Sequence, residues 1–317
     1  MKIIGTGSAH PSLVVTNKML ENFLDTSDEW IVSRTGIEQR RLLSNESLED
    51  LAVEAARKAM ENAGVAPHEI DFLIVSNVCN DYITPSLSCV IQGMLGVKCP
   101  CFDINCACTG FVYALDIAES FLSTKDLRNI LIVCAEQPGR MVDWNDRSQF
   151  VLFGDGAGSV VVTKGDDLKA IRLNTVSKVE PLWQKRKMQP TPFLTKQEHD
   201  GPLVMNGQDV FKLAVSSSID DIEKVLKIAN ISPEDIDLFV LHQANIRIID
   251  AIRHFSKQDK TKFPINVNKY GNTSSATIPI LLDELNREGK LKNGDLLLMS
   301  AFGAGFTTGA CVLRWSK

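Results

Sequence analysis

Two stretches of the chain repeat one another, and this repeat constrains the fold more than any other feature. Residues 62–75 have the sequence NAGVAPHEIDFLIV and residues 228–241 have IANISPEDIDLFVL, so that Pro67 matches Pro233 at a fixed offset. A helical apolar stripe precedes each copy, and an apolar strand ends it. Each copy therefore predicts the same helix–turn–strand unit.

A second repeat lies near the end of each half of the chain. GDGAGSVVVTK at 154–164 and GAGFTTGACVLRW at 303–315 are glycine-rich turns that lead into apolar strands. The two repeats predict two similar α/β halves, over 1–165 and 166–317. Strands that alternate with helices are typical of βαβ units. The segment 165–203 has no clear period and is predicted to be an excursion between the halves.

Four apolar runs are predicted to be strands buried on both faces, because sheets covered by helices on both sides have nearly continuous apolar sequence. These runs are Phe72–Val75, Ile130–Val133, Leu238–Leu241 and Leu296–Met299.

Composition argues against several classes of function. The net charge of −5 does not favour nucleic-acid binding, which needs a basic surface. No apolar run is long enough to predict a membrane span. Glycine, histidine and proline interrupt the N-terminal residues, so no signal peptide is predicted. We therefore expect a cytoplasmic protein whose thiols are reduced.

Four cysteines lie close together, in a C-x-C-x4-C-x-C pattern that ends at Cys108. Structural zinc sites use more widely spaced pairs, so no metal is predicted. Most buried cysteines act as small apolar side chains. We interpret the others as packing residues: Cys79, Cys89, Cys99, Cys101, Cys106, Cys134 and Cys311.

Cys108 differs because it lies at a predicted corner between a strand, CFDINCA, and a helix, TGFVYALDIAESFL. The positive end of a helix stabilises a thiolate, and cysteines in such places have lowered pKa values. Amides at the corner also point toward an acyl group held on the sulfur, where they would stabilise an oxyanion. Cys108 is therefore the candidate nucleophile.

His242 and Asn272 are the candidate partners of Cys108. His242 ends the predicted strand DLFVLH, and α/β folds place functional groups at the carboxyl ends of strands. Asn272 begins NTSSATIPILLDE, which matches CTGFVYALDIAE of the first half with Thr109 aligned to Thr273. A pseudo-twofold relation between the halves would bring both corners to a common centre. The three side chains are thus predicted to share one pocket.

Several motifs together resemble those of a known enzyme family. DINCACTGF, HQANIRI and YGNTSSATIP resemble the Cys, His and Asn motifs of β-ketoacyl-acyl-carrier-protein synthase III, in the thiolase superfamily. The segments DTSDEWI and AFGAGFTTG are also similar to that family. The resemblance implies a thiolase-like α/β fold, with two duplicated halves in a five-layered α-β-α-β-α arrangement, and a homodimer.

The resemblance also implies a decarboxylative Claisen condensation that needs no metal or cofactor, with the CoA thioester as substrate. Cys108 would take the acyl group of an acyl-CoA primer, and malonyl-acyl-carrier protein would replace the departing CoA. His242 and Asn272 would hydrogen-bond the malonyl thioester carbonyl as CO2 leaves. The backbone amides of Cys108 and Ala304 would stabilise the oxyanion formed when the carbanion attacks. The product would initiate fatty-acid or related chain synthesis.

Further residues take binding roles from the same resemblance. An acidic carrier protein is expected to dock on a basic face. Thr84 stands where relatives that use acetyl-CoA often have phenylalanine, which implies room for a longer or branched primer. The implied CoA contacts are Trp30, Arg147, Arg34, Thr26, Phe211 and Asn245, and the implied docking residues are Lys212, Arg247, Arg253 and Lys257.

Three alternatives remain open from the sequence. A related acyltransferase would move the Cys108 acyl group to an alcohol or amine without condensation. The chemistry of 3-hydroxy-3-methylglutaryl-CoA synthase needs a glutamate base, and no glutamate motif is recognised near Cys108. A zinc-stabilised or redox-sensing binding protein built on the cysteine cluster belongs to a different class.

Overall fold

The computed structural model describes residues 1–186, 192–193 and 201–317. The remaining residues belong to the predicted excursion and lie outside the described part. The strands are β1 (Lys2–Ala9), β2 (Leu13–Thr16), β3 (Gln39–Leu42), β4 (Phe72–Ser76), β5 (Cys101–Ile104), β6 (Asn129–Glu136), β7 (Gly156–Thr163), β8 (Leu168–Lys178), β9 (Leu182–Trp183), β10 (Val204–Met205), β11 (Leu238–Leu241), β12 (Leu296–Gly303) and β13 (Gly305–Arg314). The helices are α1 (Asn17–Leu20), α2 (Asp28–Thr35), α3 (Leu48–Ala63), α4 (Leu87–Leu95), α5 (Gly110–Thr124), α6 (Gly207–Ala229), α7 (Ile246–Ser256), α8 (Val267–Tyr270) and α9 (Thr277–Arg287).

Two larger sheets carry the duplication. The first has the strand order β1-β7-β6-β4-β5, and the second has β8-β13-β12-β11. The parallel pairs are β4 with β6 and β4 with β5 in the first sheet, and β11 with β12 in the second. In each sheet, the strand after the glycine-rich turn is antiparallel to both neighbours. The common order confirms the predicted relation between the halves. The predicted boundary between the two halves, at residue 165, lies in the connection between β7, which ends at Thr163, and β8, which begins at Leu168. The boundary itself stays a prediction.

The described residues form five alternating layers. Helices α5 and α9 lie between the sheets, where Phe111, Leu281 and Met299 belong to one apolar core. Helices α3 and α4 cover the outer face of the first sheet, and α6 and α7 cover that of the second. A helix that is apolar on most of its surface suits a central layer, since neither face meets water. The predicted five-layered α-β-α-β-α arrangement is confirmed.

Two local predictions are wrong. Residues 168–178, expected within an irregular excursion, form the edge strand β8 of the second sheet. Its residues face β13 on one side only, so its apolar pattern is weaker than that of a central strand. The strand expected over CFDINCA ends at Ile104, before Cys106.

Of the helices in the described ranges, none has the length and apolar character that would cross a membrane.

Candidate active site

Cys108 lies on a short 3-10 turn, Ala107–Thr109, that leads directly into α5. Ala107 has a φ of +48°, a left-handed conformation that few non-glycine residues adopt. The Thr109 hydroxyl lies 2.9 Å from that of Thr307 on β13, which ties the turn to the second sheet. The Cys108 side chain is thus held at the entrance to the central helix. Cys106 precedes the turn and lies outside the strand that was predicted to contain it.

A matching turn, Ser274–Ala276, leads into α9. Ser274 has a φ of +53°, the counterpart of the strained residue before Cys108. The two turns therefore align Thr109 with Ala276, and the predicted alignment of Thr109 with Thr273 is wrong by three residues. Asn272 lies just before this turn, and its Oδ1 accepts a hydrogen bond of 2.8 Å from the Ser274 amide. That bond leaves the Asn272 Nδ2 group available to the cavity.

His242 follows the last residue of β11, and its amide bonds to Ser300 on the neighbouring strand at 2.9 Å. Its ring Nδ1 lies 2.7 Å from the Thr277 hydroxyl, while the buried Nε2 has no hydrogen-bond partner within the described residues. Burial lowers the pKa of His242 to about 3. The imidazole is therefore neutral, and Nε2 is free for a ligand.

A cavity of about 360 Å³ joins these groups. Cys108, His242 and Asn272 all line it, as does Ala304, so the residues predicted to share a pocket do so. Gly303 brings the end of β12 against the Cys108 turn, because a Cβ there would lie 2.7 Å from the Cys108 amide nitrogen. The remaining wall is largely apolar and includes Val151, Leu152, Phe153, Leu203, Ile248 and Phe302.

The Cys108 thiol is not ionised in the free protein. Burial raises the pKa of Cys108 to about 12, and nearby Glu136 also raises it, while a hydrogen bond with the Ser274 side chain lowers it. The expected lowering of the Cys108 pKa is therefore wrong for this state, because burial raises the pKa more than the hydrogen bonds to Ser274 and to the backbone lower it. A proton must leave the thiol before the sulfur attacks.

Glu136 is a cavity residue that the sequence analysis missed. It ends β6, is 1% exposed, and lines the same cavity as Cys108. Its Oε1 accepts hydrogen bonds from the hydroxyls of Ser275 at 2.6 Å and Ser274 at 3.2 Å. Its Oε2 accepts one from the Val78 amide at 3.1 Å. Burial raises the pKa of Glu136 to about 7. The sequence signal that could have indicated Glu136 is an acidic residue at the end of an apolar strand.

Two guanidinium groups lie over one aromatic ring at the cavity. Arg34 lies 4.6 Å from the centre of the Trp30 ring and Arg147 lies 5.1 Å from it. Trp30 and Arg34 line the cavity, whereas Arg147 and Thr26 do not. Arg147 instead pairs with Asp25 at 3.1 Å. Of these four predicted CoA contacts, two line the cavity and two do not.

Phe211 and Asn245 line the outer part of the cavity, and Arg247 lies 5.8 Å from the Phe211 ring. Asn245 also caps α7 by accepting from the Arg247 amide, and it donates to the Arg34 carbonyl at 3.1 Å. Lys212 and Arg247 line a second, shallower cavity that shares these walls. This arrangement places two predicted docking residues at the mouth.

The other predicted docking residues lie farther along α7. Arg253 bonds to Asp250 at 3.2 Å, and Lys257 is the left-handed residue that ends the helix. Thr84 is exposed in the loop between β4 and α4 and does not line the main cavity. Its neighbours Tyr82 and Ile83 line an adjacent cavity of about 750 Å³.

The remaining cysteines have mixed environments. Cys99, Cys134 and Cys311 are buried, which confirms their interpretation as packing residues. That interpretation is wrong for Cys89, which is exposed and lies 3.7 Å from Cys101, sulfur to sulfur. Within the ranges 1–186, 192–193 and 201–317, no group of three or more His, Cys, Asp or Glu residues is arranged to hold a metal ion.

Two family models match this chain. The model described as 3-oxoacyl-(acyl-carrier-protein) synthase III matches residues 102–179, and the model of its C-terminal part matches residues 226–315. The first match contains Cys108, and the second contains His242 and Asn272. The three predicted catalytic residues thus fall within matched segments.

Whole-chain comparisons agree with these matches. A β-ketoacyl-acyl-carrier-protein synthase III of Clostridium acetobutylicum is 42% identical, over 100% of this chain and 99% of the relative. The crystal structure of 3-oxoacyl-acyl-carrier-protein synthase III from Aquifex aeolicus VF5 has a TM-score of 0.93 and 43% identity, covering 99% of each chain. The priming β-ketosynthase of the R1128 polyketide pathway has a TM-score of 0.94 and 34% identity, covering 100% of this chain and 96% of that one.

Proposed function

The chain belongs to the β-ketoacyl-acyl-carrier-protein synthase III family, and we propose that it condenses an acyl-CoA primer with malonyl-acyl-carrier protein. The reaction releases CO2 and initiates fatty-acid synthesis through an acyl-Cys108 intermediate. The observation that carries this proposal is the single cavity in which Cys108, His242 and Asn272 meet.

Cys108 is the proposed nucleophile. Its sulfur lies on the turn before α5, and the backbone at Gly303 approaches its amide closely. Two amides, those of Cys108 and Ala304, are the proposed donors to the oxyanion that forms on the acyl carbonyl. The left-handed φ at this bend falls on Gly305, at +134°, and not on Ala304. Alanine is therefore compatible with a turn that directs its amide to the cavity.

His242 and Asn272 are the proposed hydrogen-bond donors to the malonyl thioester. Decarboxylation leaves an enolate, and fixed donors in a water-poor cavity stabilise its oxygen. A neutral imidazole serves this role in the tautomer that carries the ring proton on Nε2. In that tautomer the Thr277 hydroxyl donates to Nδ1 at 2.7 Å in place of the Ser274 carbonyl, which lies 3.1 Å away. Asn272 supplies Nδ2, since its Oδ1 is occupied by the Ser274 amide.

CoA is proposed to enter between Trp30 and the arginines. A flat base stacks well on an indole ring or a guanidinium plane, and Trp30 has two guanidinium groups within 4.6 and 5.1 Å of its ring centre. Arg34, Arg147 and Thr26 are proposed at the nucleotide end, with Phe211 and Asn245 along the pantetheine arm. No resident cofactor is proposed.

The carrier protein is proposed to dock on Lys212, Arg247, Arg253 and Lys257. Carrier proteins of this pathway are acidic, and the first two of these cations surround the cavity mouth.

A cytoplasmic homodimer is proposed as well. Strand β5 is an outer strand of the first sheet, and the nearby Ile83 is 67% exposed. Thr84, in the same loop, is proposed to allow a primer longer than acetyl, which acylation by acetyl-, isobutyryl- and octanoyl-CoA would compare.

Mass spectrometry of the intact protein tests the proposed function. Incubation with acyl-CoA is expected to add one acyl group, which peptide mapping locates on Cys108, and C108A is expected to gain none. Malonyl-acyl-carrier protein is then expected to remove the adduct. Removal only by alcohols or amines would instead support the acyltransferase alternative, and four thiols protected by bound zinc would support the binding-protein alternative.

A further inference from the structure

The proposed reaction leaves one step without an assigned group: removal of the proton from the Cys108 thiol. Burial raises the pKa of this thiol, so a base within the cavity has to accept the proton. His242 is poorly suited to this. Its Nδ1 is engaged by Thr277, and burial lowers the pKa of its ring to about 3.

Glu136 lies in the same cavity as the thiol, at the end of β6. Ser274 connects the two residues. It lines the same cavity, its Oγ donates to Glu136 Oε1 at 3.2 Å, and hydrogen bonding by its side chain lowers the pKa of Cys108. The Ser274 hydroxyl is therefore bonded to the carboxylate and close enough to the thiol to affect its pKa.

The position of Ser274 beside these two groups is held by the backbone. Its φ of +53° is strained for a residue with a Cβ, and such strain is retained where the surrounding structure requires it. The Asn272 side chain fixes the Ser274 amide at 2.8 Å. Ser275 separately contacts the same carboxylate oxygen at 2.6 Å, without any described contact to Cys108.

We propose that Glu136 accepts the proton of Cys108 through the Ser274 hydroxyl when the enzyme is acylated. This inference rests on the proposed function, since it concerns the first half of that reaction. It assigns roles to two residues, Glu136 and Ser274, that the resemblance to the family did not provide.

The step balances as a simple exchange. The thiol proton passes to Ser274 Oγ as the hydroxyl proton passes to Glu136 Oε1, and the thiolate then accepts the hydrogen bond of Ser274. The sulfur attacks the acyl carbonyl carbon, the bond from that carbon to the CoA sulfur breaks, and the CoA thiolate takes one proton from water. Glu136 releases one proton in turn. Acyl-CoA and a thiol thus give acyl-Cys108 and CoA thiol.

The titratable groups around Glu136 do not change charge near pH 7, so a change in the acylation rate at that pH reports the protonation of Glu136. The titratable side chains near it are Cys134 on β6, Cys79 after β4, Cys108 before α5 and His242 across the cavity. Burial raises the pKa of each thiol and lowers that of the imidazole, so all four are uncharged near pH 7. The charged Arg34 and Arg247 line the same cavity toward its mouth.

Rapid-quench mass spectrometry of Cys108 acylation from about pH 5.5 to about pH 9 tests the inference. The wild-type rate is expected to rise with pH through an inflection near 7, where Glu136 becomes a carboxylate. E136Q is expected to lose the inflection and to acylate about 100-fold more slowly at pH 8, a typical loss for a general base. Once acylated by long incubation, E136Q is expected to lose much less in its rate of condensation with malonyl-acyl-carrier protein than in its rate of acylation.

Two serine variants provide the matched comparison. S274A removes the connecting hydroxyl and is expected to lose the inflection, as E136Q does. S275A keeps that hydroxyl but removes a bond that lowers the pKa of Glu136, so its inflection is expected to move to higher pH. The serine variants decide the matter if E136Q does not fold.

An unchanged profile in E136Q, equal losses in acylation and condensation, or identical profiles for S274A and S275A would each overturn the inference. Wild-type acylation with an unchanged E136Q profile overturns this inference alone. Absence of any wild-type adduct on Cys108 overturns the proposed function and this inference with it.

Discussion

The buried carboxyl of Glu136 predicts an unusual dependence of stability on pH. Burial raises its pKa from 4.5 to about 7 in the folded protein, whereas the unfolded chain keeps the ordinary value. Between these two values the folded state binds more protons than the unfolded state. The free energy of unfolding contributed by this group therefore falls as pH rises from 4.5 to about 7 and stays low above that.

The magnitude follows from the shift in pKa. One pKa unit corresponds to about 1.4 kcal/mol, so ionising Glu136 costs the folded state roughly 3 kcal/mol once the pH exceeds about 7, and about 2.5 kcal/mol of this appears between pH 5 and pH 8. E136Q has no group to ionise. The free energy of unfolding of E136Q, measured relative to that of wild type, is therefore expected to rise by that amount between pH 5 and pH 8.

Urea denaturation of wild type and E136Q at pH 5 and pH 8 measures this difference. E136Q is expected to be less stable than wild type at pH 5, because the introduced amide must reorganise the hydrogen bonds from Val78 and Ser275. E119Q is a control, since Glu119 is partly exposed on α5 and pairs with the N-terminal amine. A difference between wild type and E136Q that is the same at both pH values would refute the reasoning.

Three further substitutions test other parts of the cavity. T277V is expected to lower kcat about tenfold, because the buried Nδ1 of His242 loses its partner, and T277S is expected to restore most of it in an assay of CO2 release. W30A is expected to raise KM for acyl-CoA about tenfold with kcat changed less than about twofold, and a fall in kcat alone would contradict stacking. G303A is expected to slow Cys108 acylation about 100-fold, because its Cβ would meet the Cys108 amide at 2.7 Å; an unchanged rate in mass spectrometry would exclude the close approach.

The sequence predicted the architecture well because the fold is repeated. Apolar runs such as Leu238–Leu241 become strands covered on both faces, and the repeated motifs take equivalent places in the two sheets. The edge strand β8 was missed, since many of its residues meet solvent and its apolar pattern is diluted. Periodicity reports burial, and an edge strand is only partly buried.

The cavity was predicted in its main residues but not in its electrostatics. Cys108, His242 and Asn272 were found because each ends or begins a predicted element near a repeat. The pKa of the thiol was predicted in the wrong direction, because desolvation depends on what packs around the sulfur and not on the helix end alone. Glu136 was missed for a similar reason: its contacts with Ser274 and Ser275 join residues that are distant in sequence.

The most direct test of the account is a single-turnover measurement on enzyme first acylated at Cys108. Radiolabelled CO2 released from malonyl-acyl-carrier protein and the acyl group lost from Cys108 are followed together by rapid quench. The account predicts one CO2 and one β-ketoacyl product for each acyl group lost, with the rate reduced in H242A and N272A. Loss of the acyl group without CO2, or CO2 release that leaves acyl-Cys108 intact, would contradict it.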